Sequence, residues 1–183
     1  MMILVLGGSA SGKSEYAENV AAALGEGGKK LYLATMRPFG REAGRRIERH
    51  RRMRKGKGFE SADRYTDVGG FPAEDCQVVL LECMSNLLAN EMYREGADWE
   101  GLAEKLTEDV RLLEGRTEHI VVVSNDVASD GIDYGEETNR YISLMGEINR
   151  GLAARADCVI EVLCGIPIFH KGAPRTIWRE KAC

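Results

Sequence analysis

Residues 7–14 read Gly-Gly-Ser-Ala-Ser-Gly-Lys-Ser, a full G-x-x-x-x-G-K-[ST] pattern, and their flanks leave little freedom for the fold. Met2-Ile3-Leu4-Val5-Leu6 before them is short and wholly apolar, which suits a buried strand. Residues 15–24 after them are rich in helix formers, with Tyr16, Val20 and Leu24 spaced to share one helix face. Strand, glycine-rich turn and helix form the context in which this pattern holds phosphate. Backbone N–H groups of Gly7, Gly8, Ser9, Ala10, Ser11 and Gly12 can curl around phosphate oxygens, and the helix N-terminus adds partial positive charge. Lys13 is then placed to reach the terminal phosphates, and the Ser14 hydroxyl to hold Mg²⁺. Glycine-rich turns of this length also arise by chance, but correct flanks on both sides argue for a nucleoside triphosphate site.

The rest of the chain continues the same alternation. Apolar runs recur at 31–34, 78–81, 120–123 and 158–163, continuous rather than alternating, as in strands covered on both faces. Helical patterns separate most of them, at 14–24, about 41–54, 85–95, 99–115 and 136–156; in the last, Ile142, Met145, Ile148, Asn149 and Leu152 share a face. The expected architecture is α/β: a single three-layer, P-loop NTPase-like domain over residues 1–183 with a mostly parallel central sheet. Ligands of such sheets bind at the carboxyl ends of the strands. Polar residues gather at those ends: Thr35, Glu82 and Ser124-Asn125-Asp126. Glu82 occupies the place where phosphate-loop proteins keep a carboxylate near the metal, so Ser14 and Glu82 are the expected Mg²⁺ ligands. Asp126 reads equally as a second carboxylate for a substrate hydroxyl or as the cap of the next turn.

Composition excludes several classes. No apolar run approaches the roughly 20 residues of a membrane span, and residues 2–6 lead into the phosphate loop rather than a cleavage site, so the expected location is cytoplasmic. Five cysteines, odd in number and without C-x-x-C spacing, speak for reduced thiols over a zinc site or disulfide framework. Charge is unevenly placed. Between Arg45 and Lys57 six arginines and two lysines face one glutamate, a local +7 in a chain of net −4. An acidic protein that concentrates cations in one stretch is usually holding an anion there.

Within that stretch, helical spacing sets Ala43, Ile47, His50 and Arg54 on one face. Neighbouring guanidinium groups disfavour imidazolium and so keep His50 neutral and nucleophilic. Two readings stand side by side: His50 attacks the α-phosphate of a bound nucleotide, or it is an incidental histidine on a solvated basic helix. His119 and His170 suit structural roles.

These residues together resemble the bifunctional adenosylcobinamide kinase / adenosylcobinamide-phosphate guanylyltransferase family. The resemblance runs to about Gly172 and rests on GGSASGKS, Tyr32-Leu33-Ala34-Thr35, Arg46-Ile47-Glu48-Arg49-His50-Arg51, Leu80-Leu81-Glu82-Cys83, Val123-Ser124-Asn125-Asp126 and Asn149-Arg150-Gly151-Leu152. It implies two reactions: phosphorylation of the aminopropanol hydroxyl of adenosylcobinamide by ATP or GTP, then transfer of GMP from GTP, through a guanylylated histidine, to the new phosphate. By resemblance the nucleophile is His50, and the nucleotide contacts are Gly7 to Ser14, Ala34, Thr35, Met36, Arg51, Arg52, Met53, Arg54, Asp63 and Glu82. It further implies a homotrimer with active sites near subunit contacts. Two segments depart from the family pattern: Asn139–Ser143 lacks the carboxylate of an R-x-F-R-D-like segment, and Ala128–Gly135 lacks G-x-G-I-V-P. The rival readings are a guanylyltransferase alone, another small-molecule kinase with His50 idle, and a nucleic-acid-binding ATPase. The last is opposed by the acidic balance and by the absence of aromatic residues from 45–57.

Overall fold

The computed structural model describes residues 1–38, 44, 45, 48, 52, 54–127 and 132–172. In chain order the elements are β1 (Met2–Leu6), α1 (Lys13–Leu24), β2 (Lys30–Ala34), β3 (Phe59–Asp63), a 3-10 turn at Val68–Gly70, β4 (Val78–Glu82), α2 (Met84–Met92), α3 (Leu102–Glu114), β5 (His119–Val123), α4 (Glu136–Arg155), β6 (Cys158–Leu163) and β7 (Ile166–Lys171). Gly44, Arg45, Glu48, Arg52 and Arg54 are helical.

The strands form one sheet in the order β3-β2-β4-β5-β1-β6-β7. All neighbours are parallel except β6 and β7. Because side chains alternate along a strand, each central strand feeds two cores. Ile3, Val5, Leu80, Val121, Val123 and Ile160 face Ala17, Val20 and Ala21 of α1. Leu4, Leu33, Leu81, Ile120 and Val122 face the opposite layer, with Leu87 and Leu88 of α2, Leu106 and Leu113 of α3, and Met145, Ile148 and Leu152 of α4. Double coverage is why these strands read as unbroken apolar runs.

Both edge strands escaped the sequence reading, for a shared reason. β3 is Phe-Glu-Ser-Ala-Asp and among the described residues pairs only with β2, so its outward positions are polar. β7 is Ile-Pro-Ile-Phe-His-Lys and returns antiparallel beside β6 through a turn at Cys164 and Gly165, both with positive φ. Pro167 is tolerated on an edge, where no further ladder needs its missing N–H. Helix ends shift as well. Trp99 lies before α3, not in it: its indole N–H donates to the Met92 carbonyl at 2.8 Å. The helix starts after Gly101, which has φ of +69°. On α4 the buried face is Leu144, Met145, Ile148 and Leu152, with Ile142 only partly covered.

Candidate nucleotide site

The carboxyl ends of β1, β2, β4 and β5 open onto one crevice. Its inner cavity, about 290 Å³, is lined by residues 9–15 together with Met36, Glu82, Cys83, Ser85, Asn86, Val123 and Asn125. A second cavity of about 330 Å³ continues from it, sharing Met36, Glu82, Cys83 and Asn86, and reaches Tyr32, Ala34, Glu48, Arg54 and Asp63.

The phosphate loop is shaped by close approaches that only glycine allows. A Cβ on Gly7 would lie 2.6 Å from the Val162 carbonyl oxygen, and one on Gly12 (φ +94°) 3.2 Å from the Gly165 Cα. The loop is therefore braced by the β6–β7 turn. The Gly165 N–H donates to the Ser11 carbonyl at 2.8 Å, and the Asp126 N–H donates to the Gly7 carbonyl at 3.3 Å. Lys13, only 8% exposed, folds over the loop with Nζ 2.9 Å from the Gly8 carbonyl. That posture holds an ammonium where terminal phosphates arrive.

At the mouth, Ser14 Oγ donates to Glu82 Oε1 at 2.7 Å, and the Tyr32 hydroxyl donates to Glu82 Oε2 at 2.5 Å. Burial, and then the Glu82 charge, push the Tyr32 phenol far above its ordinary value, so it stays a hydrogen-bond donor. A hydroxyl beside a carboxylate supplies hard oxygen donors of the kind Mg²⁺ takes, so Ser14 and Glu82 fit that ion. A different acidic group, Asp67, Glu91 and Asp109, lies under α3. It carries its own cation: Lys105 Nζ is 3.0, 2.8 and 2.9 Å from their oxygens.

Register explains how the second cavity gains its walls. Ala34 pairs with Asp63 on one side and Glu82 on the other, so a small residue is flanked by two carboxylate-bearing positions on one face. Tyr32 pairs with Ser61 and Leu80 one step back. Arg54 closes the wall, 9% exposed, with Cζ 3.5 Å from the Tyr32 ring centroid and Nη2 3.5 Å from Ser61 Oγ. Its Nη1 is buried with no hydrogen-bond partner among the described residues. Arg52 is exposed and lines an outer cavity of about 620 Å³ with Arg54 and Ser61.

Among the residues expected from sequence, the structure gathers Ser9 to Ser14, Ala34, Met36, Arg54, Asp63 and Glu82 around these two cavities. Thr35 is placed differently. It is fully buried, and its hydroxyl accepts from the Cys83 N–H at 2.7 Å and donates to the Cys83 carbonyl at 2.9 Å. Asp126 is exposed and lines neither cavity. His50, Arg51 and Met53 lie outside the described residues.

Several wall residues escaped the sequence reading. Tyr32 sits in Leu-Tyr-Leu-Ala, which reads as core. Ser85 and Asn86 join Asn125, which the sequence did place at a strand end facing the crevice, in a chain: Asn125 Nδ2 donates to Ser85 Oγ at 2.5 Å, Ser85 Oγ lies 3.1 Å from Cys83 Sγ, and Asn86 Nδ2 donates to that sulfur at 3.2 Å. The only signal for Ser85 and Asn86 was position, just after a strand end.

Comparison with known proteins agrees with this geometry. A family model described as cobinamide kinase / cobinamide phosphate guanyltransferase matches residues 3–169. The chain is 32% identical over 178 residues to the bifunctional adenosylcobalamin biosynthesis protein CobP of Pseudomonas aeruginosa, covering 95% of this chain and 99% of that protein. It is 29% identical over 185 residues to the bifunctional adenosylcobalamin biosynthesis protein CobU of Escherichia coli K12, covering 93% of this chain and all of that one. Among solved structures, the flagellar accessory protein FlaH of Methanocaldococcus jannaschii superposes with a TM-score of 0.52 at 13% identity, over 93% of this chain and 78% of that one. The ATPase domain of G40P gives 0.52 at 10% identity, over 87% and 68%. These two share the P-loop NTPase fold and nothing closer. The phosphate loop, the crevice and a family match over nearly the whole chain converge: this protein belongs to the cobinamide kinase / cobinamide phosphate guanyltransferase family, and so to the nucleotide-dependent kinases and nucleotidyltransferases of cobalamin biosynthesis.

Proposed function

We propose that this protein carries out both reactions of its family: it phosphorylates adenosylcobinamide with ATP or GTP, then transfers GMP from GTP to adenosylcobinamide phosphate through His50. The carrying observation is the phosphate loop, with Lys13 over it and Ser14 against Glu82, opening into a cavity walled by Arg54 of the basic stretch. In the first reaction Lys13 binds the terminal phosphates; the substrate hydroxyl oxygen bonds to the γ-phosphorus, its proton passes to water, the β–γ anhydride bond breaks and the nucleoside diphosphate leaves. When bound, Mg²⁺ supplies charge neutralisation at the phosphates, and Ser14 and Glu82 are the residues to hold it.

In the second reaction neutral His50 attacks the α-phosphorus of GTP. A P–N bond forms, the α–β anhydride bond breaks, and pyrophosphate leaves. A phosphate oxygen of adenosylcobinamide phosphate then displaces the imidazole, which restores His50 and gives adenosylcobinamide-GDP. Arg54 suits the charge that develops, since its buried Nη1 has no hydrogen-bond partner among the described residues and needs an acceptor. Asp63 offers an acceptor to a purine edge that donates, as the guanine N1–H and 2-amino group do.

The assembly we propose is a homotrimer. The β6–β7 hairpin, whose turn touches Gly12, exposes Leu163 at 55%, Ile166 at 66% and Ile168 at 40% on one face and Phe169 at 39% on the other, apolar surface beside the phosphate loop that a second copy would cover. Among the described residues no helix is long and apolar enough to cross a membrane. We assign the work to the cytoplasm, where nucleoside triphosphates are supplied. The test assays the half-reactions separately: adenosylcobinamide with ATP or GTP, and adenosylcobinamide phosphate with GTP, following corrinoid products and pyrophosphate. Turnover in both supports the proposal. Turnover in the second alone reduces the protein to a guanylyltransferase, and turnover in neither overturns it.

A further inference from the structure

Glu82 is held from both ends. Ser14 of the phosphate loop engages Oε1 at 2.7 Å, and the phenol of Tyr32 engages Oε2 at 2.5 Å. Tyr32 reaches it diagonally across the β2–β4 ladder: its register partner is Leu80, and Glu82 stands two residues further along the same face. A face of the same ring carries the Arg54 guanidinium, 3.5 Å from the centroid. A phenylalanine would fill the 4%-exposed pocket and seat the arginine equally well, since the face of a phenyl ring also attracts a cation. What phenylalanine lacks is the hydroxyl, and the hydroxyl is the part aimed at the carboxylate.

A second tether holds the same segment. Lys57 Nζ donates to Glu18 Oε2 at 2.9 Å, and Glu18 is fully buried on α1, the helix that begins at the phosphate loop. The end of the basic stretch is thus fastened to the two elements that carry Ser14 and Tyr32.

We propose that Tyr32 is a positioning residue with two separable duties: its hydroxyl fixes the Glu82 carboxylate in the orientation that presents Oε1 at Ser14 for Mg²⁺, and its ring seats Arg54 against the nucleotide cavity. This inference rests on the reading of the crevice as a Mg²⁺–nucleotide site. It adds that the carboxylate and the basic stretch are registered through one side chain, which transfers no group and touches no reacting atom. A tyrosine that merely fills core would be replaceable by phenylalanine at every readout.

The experiment uses the full chain and a fluorescent N-methylanthraniloyl GTP, titrated to equilibrium with and without Mg²⁺, beside thermal melting. Tyr32→Phe is expected to melt like the wild type and to keep its Mg²⁺-free affinity. The factor by which Mg²⁺ tightens binding should fall by about tenfold, the scale of one hydrogen bond to a charged group. In a Glu82→Gln background the same change should leave the Mg²⁺ factor no smaller, because the carboxylate that the hydroxyl orients for Mg²⁺ is already gone. Tyr32→Leu should lose the Mg²⁺ effect and weaken Mg²⁺-free binding too. If that variant does not fold, Arg54→Met tests the ring's duty from the other side: it should weaken Mg²⁺-free binding and spare the Mg²⁺ effect. A wild-type Mg²⁺ effect in Tyr32→Phe overturns the hydroxyl's duty, as does additivity with Glu82→Gln. Undiminished Mg²⁺-free affinity in both Tyr32→Leu and Arg54→Met overturns the ring's. A wild-type chain whose GTP binding ignores Mg²⁺ overturns the reading of the site itself, and is told apart from these results because it appears before any substitution.

Discussion

Lys13 and Gly12 show how much chemistry one short loop concentrates. Lys13 is only 8% exposed, and its ammonium bonds the Gly8 carbonyl at 2.9 Å, a contact an arriving phosphate can replace. Lys13→Ala should lower both half-reactions by about 100-fold or more, the scale of losing one preorganised charge partner, with an unchanged circular dichroism spectrum. Retained turnover in that variant would contradict the assigned role. Gly12→Ala should cost about 1–2 kcal/mol, because an L residue at φ +94° is strained, and its methyl would press on Gly165. A fall in melting temperature together with weaker nucleotide binding is the expected pair of readouts. The loop residues were legible in the sequence because their pattern specifies backbone geometry directly. Tyr32 was not, since an aromatic in an apolar strand carries no mark of what its hydroxyl meets. Thr35 misleads in the opposite sense: a polar residue at a strand end suggests a ligand contact, but its hydroxyl serves the Cys83 backbone.

Between elements, a polar junction whose members line neither cavity joins α2, α3 and the 3-10 turn. Lys105 on α3 binds Glu91 on α2, Asp67 at the entry to the 3-10 turn, and Asp109 one helical turn on. Burial opposes the charge on Lys105, but bonds to the three carboxylates outweigh it and raise the ammonium above the ordinary lysine value. Glu91 is fully buried, so Lys105→Met leaves its carboxylate only Arg94 and the Asp67 N–H as described partners, and should cost about 1–3 kcal/mol in chemical denaturation. Asp67 supplies a pH test. The Lys105 hydrogen bond, first among its causes, holds its carboxyl below the ordinary value against the effect of burial. A carboxyl whose native pKa is lower than its unfolded one stabilises the fold at pH above the unfolded value, about 4, and loses that contribution as pH falls through the native value. The melting-temperature gap between the wild type and Asp67→Asn should therefore be constant from pH 6 to 8 and close below about pH 4. A gap that persists in acid would contradict the assignment. This junction was invisible in the sequence because its members are scattered across three elements. The edge strands β3 and β7 were hidden by half-exposure, while the five doubly covered strands announced themselves through uninterrupted apolar runs.

At the scale of the whole molecule, the fold puts a nucleotide crevice on one end of the sheet and an unusually apolar hairpin on one edge, joined where Gly165 meets Gly12. If three copies share that hairpin, a charge there should separate them. Light scattering after size exclusion should give a trimer for the wild type and smaller species for Ile166→Lys. A monomeric wild type would contradict the proposed assembly. The central claim concerns His50, and the most direct measurement is incubation with GTP labelled at the α-phosphorus, followed by denaturing electrophoresis. The account predicts a protein-bound label that is labile in acid, stable in base, and absent from His50→Ala. Equal labelling of that variant would contradict it.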